Sequence, residues 1–544
     1  MKDLKIEGSS QELKTESSKG KEAETDERAV WGPSFSRSEV FARNISMDYV
    51  ALGVEMLIGV LMLPFNVAHL GQSAYGLWVL VASITMYFSM LDLGYGVAQV
   101  KFAAEYRARK DSRGLNEILS TLFFFFTLIG LTAFALGALI AFNLESFFKV
   151  TPEQAGTGRQ VLLIITAFVA MGFPLSVFGG VVNGFQRHFM NGYVSISIAI
   201  AAAIANLVVL LAGYGLVELV AVTTGIRMLG YLGYRLNAYR AYPGLKIRAS
   251  YIRLARLREV TGFSTFILII DLANKVNYST DTLVIGVFMS TTAVAVWSVA
   301  QRLITTTQNL TLQLNGSLFP IIVDIATLGE TDRLRRVFTQ GTRLSLAMVM
   351  PIAMGLVLLA EPLILAWVGE SFIASVPIIY ALAAAVVIRV GNSTATNVLK
   401  GAGHHRLLAV TNISMAAANL ALSIVLVRRY GLIGVALGTL IPLAVVSTFV
   451  LFPAACRRVD LSVTKALTQA VWPAFWPVIP MALLLALTRN LAGASLPFIL
   501  AQSVGAGALY ALLFLWLAIG REERVWYFDK IKRVLGGRWA AATA

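Results

Sequence analysis

The sequence predicts an all-α polytopic membrane protein with about 14 transmembrane helices: two parallel six-helix repeats, forming an N-lobe and a C-lobe, and two extra C-terminal helices. Three observations indicate this fold. Successive apolar segments fill the chain from Asn44 to Gly520, each about 20 residues or longer, and roughly 20 apolar residues cross ~30 Å of hydrocarbon as a helix. The composition is 57% hydrophobic and only 14% charged. Finally, the two halves of the chain resemble each other.

The apolar runs divide the chain into regions. Residues 1–43 hold eight basic and nine acidic side chains and few apolar ones, which is typical of a disordered cytoplasmic tail and not of a signal peptide. We place the N-lobe at 44–236, a basic cytoplasmic linker at 237–261, the C-lobe at 262–453, accessory helices at 454–520 and a basic cytoplasmic tail at 521–544. The predicted spans are 44–68, 75–97, 117–142, 160–182, 189–212, 216–236, 262–288, 292–318, 341–361, 374–397, 407–427, 432–453, 467–488 and 496–519.

The basic residues predict the orientation. With a cytoplasmic N-terminus, 36 of the 45 lysines and arginines fall in the tails and cytoplasmic loops, and the outer loops hold only Lys149, Arg159, Arg428, Arg429 and Arg489. The positive-inside rule therefore places both termini in the cytoplasm. The net charge of +15 then faces anionic lipid, so a nucleic-acid partner is not expected. One cysteine and no Cys/His cluster predict neither a disulfide nor a metal site.

Three pairs of segments show the internal repeat. YGLWVLVASI, which contains Trp78, matches VAVWSVAQRL, which contains Trp297, at an offset of 219 residues. NGFQRH from Asn183 matches KGAGHH from Lys400 at 217, and AIANL followed by GYGL matches AAANL followed by RYGL at 213 to 216. Because six is an even number of spans, both copies enter the membrane from the same side and are parallel. Parallel repeats surround a central site in secondary transporters.

Ionisable residues inside spans indicate functional positions, because each costs on the order of 2.5–3.5 kcal/mol at a helix centre. In the seventh span Asp271, Asn274, Lys275, Tyr278 and Asp281 recur every three or four residues and share one face. Two interpretations stay open: a functional stripe, or an acid–base pair four residues apart that neutralises itself.

The eighth span adds a row of amides, which either faces water or holds helices together. With Asn274, its cavity-lining candidates are Gln301, Gln308, Asn309 and Asn315.

Cations within the spans form the third group of candidates. Lys275, Arg302 and Arg389, with Arg227 as a weaker fourth, are candidates for an anion-binding cavity, since a guanidinium fork binds two oxygens of a phosphate or carboxylate. Pairing with acids inside the membrane is the alternative. Asp92, in SMLDLGYG, is interpreted either as a cation ligand or as part of a hinge.

These segments resemble a known family. YGLW followed by LDLGYG, then DTLVIGVFMSTTAVAVWSVAQRL, PII near Pro320 and KGAGHHR are similar to Wzx-type polysaccharide flippases of the multidrug/oligosaccharidyl-lipid/polysaccharide (MOP) exporter superfamily. The similarity covers roughly residues 43–453, and its motifs are hydrophobic patterns rather than a catalytic signature. Residues 1–43 have no counterpart in the family, and the last two spans depart from its common twelve-helix form.

The resemblance implies a bacterial inner-membrane protein with two lobes around a cationic cavity, in which an undecaprenyl-diphosphate-linked oligosaccharide crosses the bilayer. It implies that Lys275, Arg302 and Arg389 bind the diphosphate or acidic sugars, and that Asp92, Asp271 or Asp281 binds a coupling proton or sodium ion. The expected partners are the polyprenyl-diphosphate-linked glycan, the lipid bilayer and other polysaccharide-assembly proteins. No cofactor and no catalytic residue is expected.

Two alternatives differ in class. A multidrug or organic-cation antiporter of the same superfamily would favour acidic cavity residues, which the three cations oppose. A membrane-embedded glycan polymerase or ligase would favour a large outer loop with catalytic acids or bases, whereas the longest predicted outer loop is only about Asn143 to Arg159. A passive scaffold gives no reason for the polar stripes.

Overall fold

The computed structural model describes residues 37–261, 280–489 and 495–520, together with Val30 and Arg524. The chain divides into two compact units, Met1–Lys275 and Val276–Ala544, which we call the N-terminal and C-terminal units. Within the described ranges every regular element is helical, so the all-α prediction is confirmed. The predicted limits of the lobes, linker and tails stay predictions.

The described residues of the N-terminal unit form six main helices. The first bends at Gly71, whose φ of 76° favours glycine, and a 3₁₀ turn, Ser89–Asp92, separates it from the second. The helices are α1 Arg37–Phe88, α2 Tyr95–Ala108, α3 Ser112–Phe142, α4 Pro152–Gly184, α5 His188–Leu211 and α6 Leu216–Ala241. A short helical turn, Leu144–Phe147, lies between α3 and α4, and after α6 come a 3₁₀ turn at Ala249–Tyr251 and a helical stretch at 254–261.

The described part of the C-terminal unit starts at residue 280, and residues 280–288 are helical. Its other helices are α7 Thr291–Thr327, α8 Thr331–Leu358, α9 Ala360–Trp367, α10 Val376–Gly391, α11 Ser393–Gly401, α12 His405–Val446, α13 Phe452–Arg458, α14 Val463–Thr488 and α15 Leu496–Ala518. Glu370–Ser375 forms a 3₁₀ turn before α10. Helix α12 bends at Gly431, and π turns lie at Ser447–Leu451, Leu467–Val471 and Phe514–Ala518.

Ten helices of the described ranges are long and apolar enough to cross a membrane. Two of them, Ser46–Phe88 and His405–Arg458, contain 43 and 54 residues and bend at Gly71 and Gly431. Since about 20 residues suffice for one crossing, each is long enough for two predicted spans. The chain is therefore a multi-pass membrane protein. The number of fourteen spans stays a prediction.

The boundaries differ from the predicted ones where helices begin with polar residues. Helix α4 begins at Pro152 instead of residue 160, because Thr151 and Gln154 form a capping box there. Helix α8 begins at Thr331 instead of residue 341. Much of the predicted loop 98–116 is helical, since α2 ends only at Ala108. Apolar runs locate the part of a helix inside the bilayer and miss its polar ends.

Each unit packs through its own core. In the N-terminal unit α3 lies directly on α4: a Cβ added to Gly130 would be 2.2 Å from the carbonyl oxygen of Ala170, so only glycine permits this approach. In the C-terminal unit one buried cluster joins α7, α8, α11 and α13 through Ile322, Phe338, Val398 and others. These cores fix the helices that present the polar residues described next.

Candidate functional site

A buried carboxylate and two polar partners lie in the C-terminal unit. Asp281, on the helix 280–288, is only 6% exposed. Thr439 Oγ1 donates a hydrogen bond to Asp281 Oδ2 over 2.9 Å, and Asn419 Nδ2 donates to Thr439 Oγ1, also over 2.9 Å. Both partners are on α12, whose bend at Gly431 sets the two halves of the helix side by side. The predicted ion-coupling residue Asp281 is therefore part of a three-residue polar group.

The second carboxylate oxygen of Asp281, Oδ1, and the neighbouring hydroxyl Ser423 Oγ have no hydrogen-bond partner among the described residues. Ser423 is fully buried, and a Cβ on Gly438 would be 2.3 Å from its hydroxyl oxygen, so it lies at the same α12 contact as Thr439. Oxygen ligands of this kind suit a proton or a hard cation. No group of three or more His, Cys, Asp or Glu side chains that could hold a metal occurs in the described part.

The amides of α7 divide between internal contacts and exposed positions. Gln308 Oε1 accepts a hydrogen bond from Arg389 Nη1 of α10 at 3.2 Å, and Gln301 Oε1 accepts from Thr282 Oγ1 at 3.5 Å. Helix packing therefore accounts for these two amides. Asn309 is exposed, as is Thr305 on the adjacent part of the helix. Against lipid the amide of Asn309 would lack hydrogen-bond partners, which favours a water-lined face.

The candidate cations belong to both units. Arg302 of α7 and Arg389 of α10 are partly buried in the C-terminal unit, whereas Arg227 is exposed on α6 of the N-terminal unit. Lys275, Asn274 and Asp271 lie outside the described residues, and so does the side chain of Asn315. The role of the four cations in one anion site stays a prediction.

Asp92 occupies the break between α1 and α2. Its Oδ1 accepts the backbone N–H of Gly94 at 2.8 Å, while Leu93 and Gly94 have φ angles of 52° and 78°. A side chain that bonds the backbone two residues ahead forms an Asx turn. The contact gives Asp92 a structural role in the turn between α1 and α2, and its roles as a hinge residue or a cation ligand both stay predictions.

A second polar group, which the sequence pattern did not reveal, attaches the linker after α6 to the start of α3. Three side chains of α3 accept linker backbone N–H groups: Asn116 from Lys246 at 2.8 Å, Ser120 from Arg248 at 3.2 Å and Thr121 from Arg253 at 3.0 Å. These contacts satisfy the backbone of an irregular segment. The linker is thus a structural part of the N-terminal unit.

An ion-pair network completes this attachment. Glu117 Oε2 accepts hydrogen bonds from Arg256 Nη2 at 3.1 Å and Nε at 3.3 Å. Tyr106 accepts from Arg256 Nη1 at 2.6 Å and donates to Glu259 Oε2 at 3.1 Å. Burial lowers the pKa of Arg256, but the hydrogen bond to Glu117 and the neighbouring negative groups outweigh burial and raise it overall. Burial raises the pKa of Tyr106. Sequence reasoning noted only the basic character of this linker.

The fold and these polar positions define the class: a helical, multi-pass membrane protein with a buried acid and a polar helix face, as in secondary transporters. The family model described as polysaccharide biosynthesis protein matches residues 70–377, more than half of the chain. The chain belongs to this family.

Individual proteins show the same relationship. The chain is 25% identical over 410 residues to the probable flippase AglR of Haloferax volcanii, covering 74% of this chain and 80% of that one. Its fold is similar to the inward closed conformation of the lipid II flippase MurJ, with a TM-score of 0.66, 16% identity and coverage of 90% of this chain and 99% of that one. An inward-facing multidrug resistance MATE transporter of the MOP superfamily gives a TM-score of 0.57 at 15% identity, with 75% and 94% covered. The similarity in fold to solved transporters, one of them a member of the MOP superfamily, is confirmed.

Proposed function

We propose that this protein is a flippase that moves undecaprenyl-diphosphate-linked oligosaccharide across the bacterial cytoplasmic membrane by alternating access, in cell-surface polysaccharide biosynthesis. Family membership and the names of AglR and MurJ support a flippase. The single structural observation that supports it best is the polar face of α7, where Thr305 and Asn309 are exposed on a helix of a membrane protein. We propose that both termini are cytoplasmic, following the positive-inside rule.

The headgroup site follows from the physical problem of transport. A diphosphate crosses hydrocarbon only if a protein replaces its hydration with charge-assisted hydrogen bonds. Arg302 lies on α7, the helix that has this polar face, and Arg389 of α10 contacts α7 through the 3.2 Å hydrogen bond that its Nη1 donates to Gln308 Oε1. Lys275 and Arg227 are further proposed members of the site. This role requires no covalent chemistry, and the glycan and other polysaccharide-assembly proteins are the proposed partners.

Ion coupling is proposed to depend on Asp281. A buried carboxylate that retains one unpaired oxygen, Oδ1, is a site for a proton or a sodium ion. Cation binding would neutralise this charge inside the membrane, where an isolated charge is costly. Whether a cation occupies Asp281 would thus depend on the ion concentration on the side of the membrane to which the site is open. This dependence would link the ion gradient to transport.

The test is transbilayer movement of undecaprenyl-diphosphate-linked oligosaccharide in proteoliposomes at matched protein levels. Wild type is compared with Arg302→Ala and Lys275→Ala, and with Arg428→Ala as the control, since Arg428 is an exposed arginine of the same unit whose guanidinium lies over Phe288 at 5.2 Å. We expect movement in the wild type and the control, and its loss in both other variants. Absence of movement in the wild type, with drug or cation antiport instead, would refute the flippase proposal.

A further inference from the structure

An apolar groove runs along the surface of the N-terminal unit between α5 and α6. We name it the α5–α6 groove; its volume is about 670 Å³ and its walls include Val194, Ile198 and Ala201 of α5 and Ile226 and Leu229 of α6. Gly230 and Gly233 let the helices approach closely, since a Cβ on Gly230 would be 1.9 Å from Ile198 Cδ1. Leu229 is 64% exposed on the rim. The groove is therefore open along its length and closed by packed helices at its floor.

One end of the groove is polar and positively charged. Asn237 Nδ2 donates to the carbonyl oxygen of Met190 at 2.8 Å and closes that end, and Arg240 lines it with an exposed side chain. Within the described part of the chain Arg240 forms no ion pair. Its exposed guanidinium lies where α6 leaves the predicted membrane span, which is a suitable position for contact with an anion.

Neighbouring arginines strengthen the positive potential at this end. Arg187 is 6% exposed and donates from Nη1 to the carbonyl oxygen of Ala241 at 3.2 Å, one residue after Arg240. Burial, followed by the charge of Arg107, lowers the pKa of Arg187 to about 10, so the group stays cationic at neutral pH. Arg43 lies over the ring of Phe189 at 5.8 Å. Two further positive groups therefore contact residues that are next in sequence to Arg240 and Met190 of the groove lining.

We infer that the α5–α6 groove is a binding site for an anionic phospholipid, with an acyl chain along its apolar walls and the headgroup phosphate at Arg240 and Asn237. The inference is independent of the proposed transport activity. Apolar walls within the membrane span exclude a free phosphate as the matching ligand, and the positive end disfavours an organic cation. Arginine binds two phosphate oxygens at once, and the amide of Asn237 adds a polar neighbour. By the positive-inside rule the lipid belongs to the cytoplasmic leaflet.

Native mass spectrometry of the full chain in detergent tests the site, with dioleoyl phosphatidylglycerol and dioleoyl phosphatidylcholine titrated in parallel. Arg240→Gln removes the headgroup contact, and its control is Arg248→Gln, which removes the same charge from an exposed linker position outside the groove. Ala201→Phe fills the groove without a change in charge. If this variant does not fold, Ser197→Leu, at another lining position, is used in its place. Undecaprenyl phosphate serves as a competitor.

We expect preferential binding of phosphatidylglycerol in the wild type and Arg248→Gln. In Arg240→Gln this binding weakens about fivefold, since one basic residue near a lipid surface contributes about 1 kcal/mol. The filled groove weakens binding of both lipids. Equal effects of the two arginine variants, or unchanged binding in the filled groove, would overturn the inference. Displacement of phosphatidylglycerol by a much lower concentration of undecaprenyl phosphate would also overturn it, because the groove would then belong to the polyprenyl carrier.

Discussion

The ion pair between Glu117 and Arg256 gives a prediction whose magnitude follows from its geometry. The side chains are 10% and 29% exposed, and the nearest contact is 3.1 Å. Breaking a fully buried pair costs about 3–5 kcal/mol, and a charge-assisted hydrogen bond contributes about 1.5–3 kcal/mol. Partial exposure of Arg256 reduces these values. We therefore expect Glu117→Gln to lower the free energy of local opening of the linker by about 2 kcal/mol.

Hydrogen exchange of the protein in nanodiscs measures this change. Because 1.4 kcal/mol corresponds to a factor of ten, amides of residues 253–261 should exchange about 30-fold faster in Glu117→Gln. The amide of Arg253, which donates to Thr121 Oγ1 at 3.0 Å, is the most direct probe. The amide of Lys246 is an internal control, since it bonds Asn116 and not the ion pair.

Arg113→Gln is the matched control variant. Arg113 also contacts Glu117, at 3.3 Å, but its side chain is 79% exposed, and pairs of this kind contribute about 0–1 kcal/mol. Equal acceleration in Glu117→Gln and Arg113→Gln would refute the argument that burial decides the strength. Acceleration spread over all of α3 would show general destabilisation instead. In an Arg256→Gln background, Glu117→Gln should add little, because the pair is already broken.

Three further outcomes are expected. Asp281→Asn should fold and abolish the response of transport to an imposed proton or sodium gradient, measured in proteoliposomes with and without the gradient, because an amide keeps the shape but cannot change charge. Asn116→Ala should lower stability by about 1–3 kcal/mol through lost backbone contacts, whereas Asn143→Ala, at an exposed position, should change the melting temperature little. Gly438→Val should destabilise by about 1–3 kcal/mol through overpacking, while Gly505→Ala should be neutral, since nothing lies within 4 Å of its added Cβ.

The membrane fold was predictable because apolar length is a local property of the chain. Each apolar run of the sequence that falls in the described ranges lies in a helix. The bends at Gly71 and Gly431 fall in the gaps between predicted spans. The apolar runs do not predict polar helix ends. At Thr151 to Gln154, for example, capping and not hydropathy sets the start of the helix.

The sites were predictable only in part, since their contacts join distant positions. Asp281 was identified by its charge inside a span, but Thr439, its partner 158 residues later, carries no charge that would reveal it. The attachment of the linker to α3 likewise joins residues 126 to 139 positions apart. A neutral hydroxyl or amide in an apolar helix is a weak signal until the fold shows what it faces.

The two copies of the predicted internal repeat differ at the position of the buried acid. Asn206 and Thr223 occupy the positions that Asn419 and Thr439 have in the second copy, at offsets of 213 and 216 residues. The hydroxyl of Thr223 donates to the carbonyl oxygen of Leu219 at 2.7 Å, the usual bond of a threonine within a helix. In the second copy the equivalent backbone bond is 3.4 Å long, and the hydroxyl instead lies 2.9 Å from Asp281. A hydroxyl has one hydrogen to donate, so the acid redirects it.

At the offset of 219 the first copy has methionine at position 62 in place of the acid. Both copies thus retain the amide and the hydroxyl, and the carboxylate in the second copy is the element that would make this arrangement responsive to a cation.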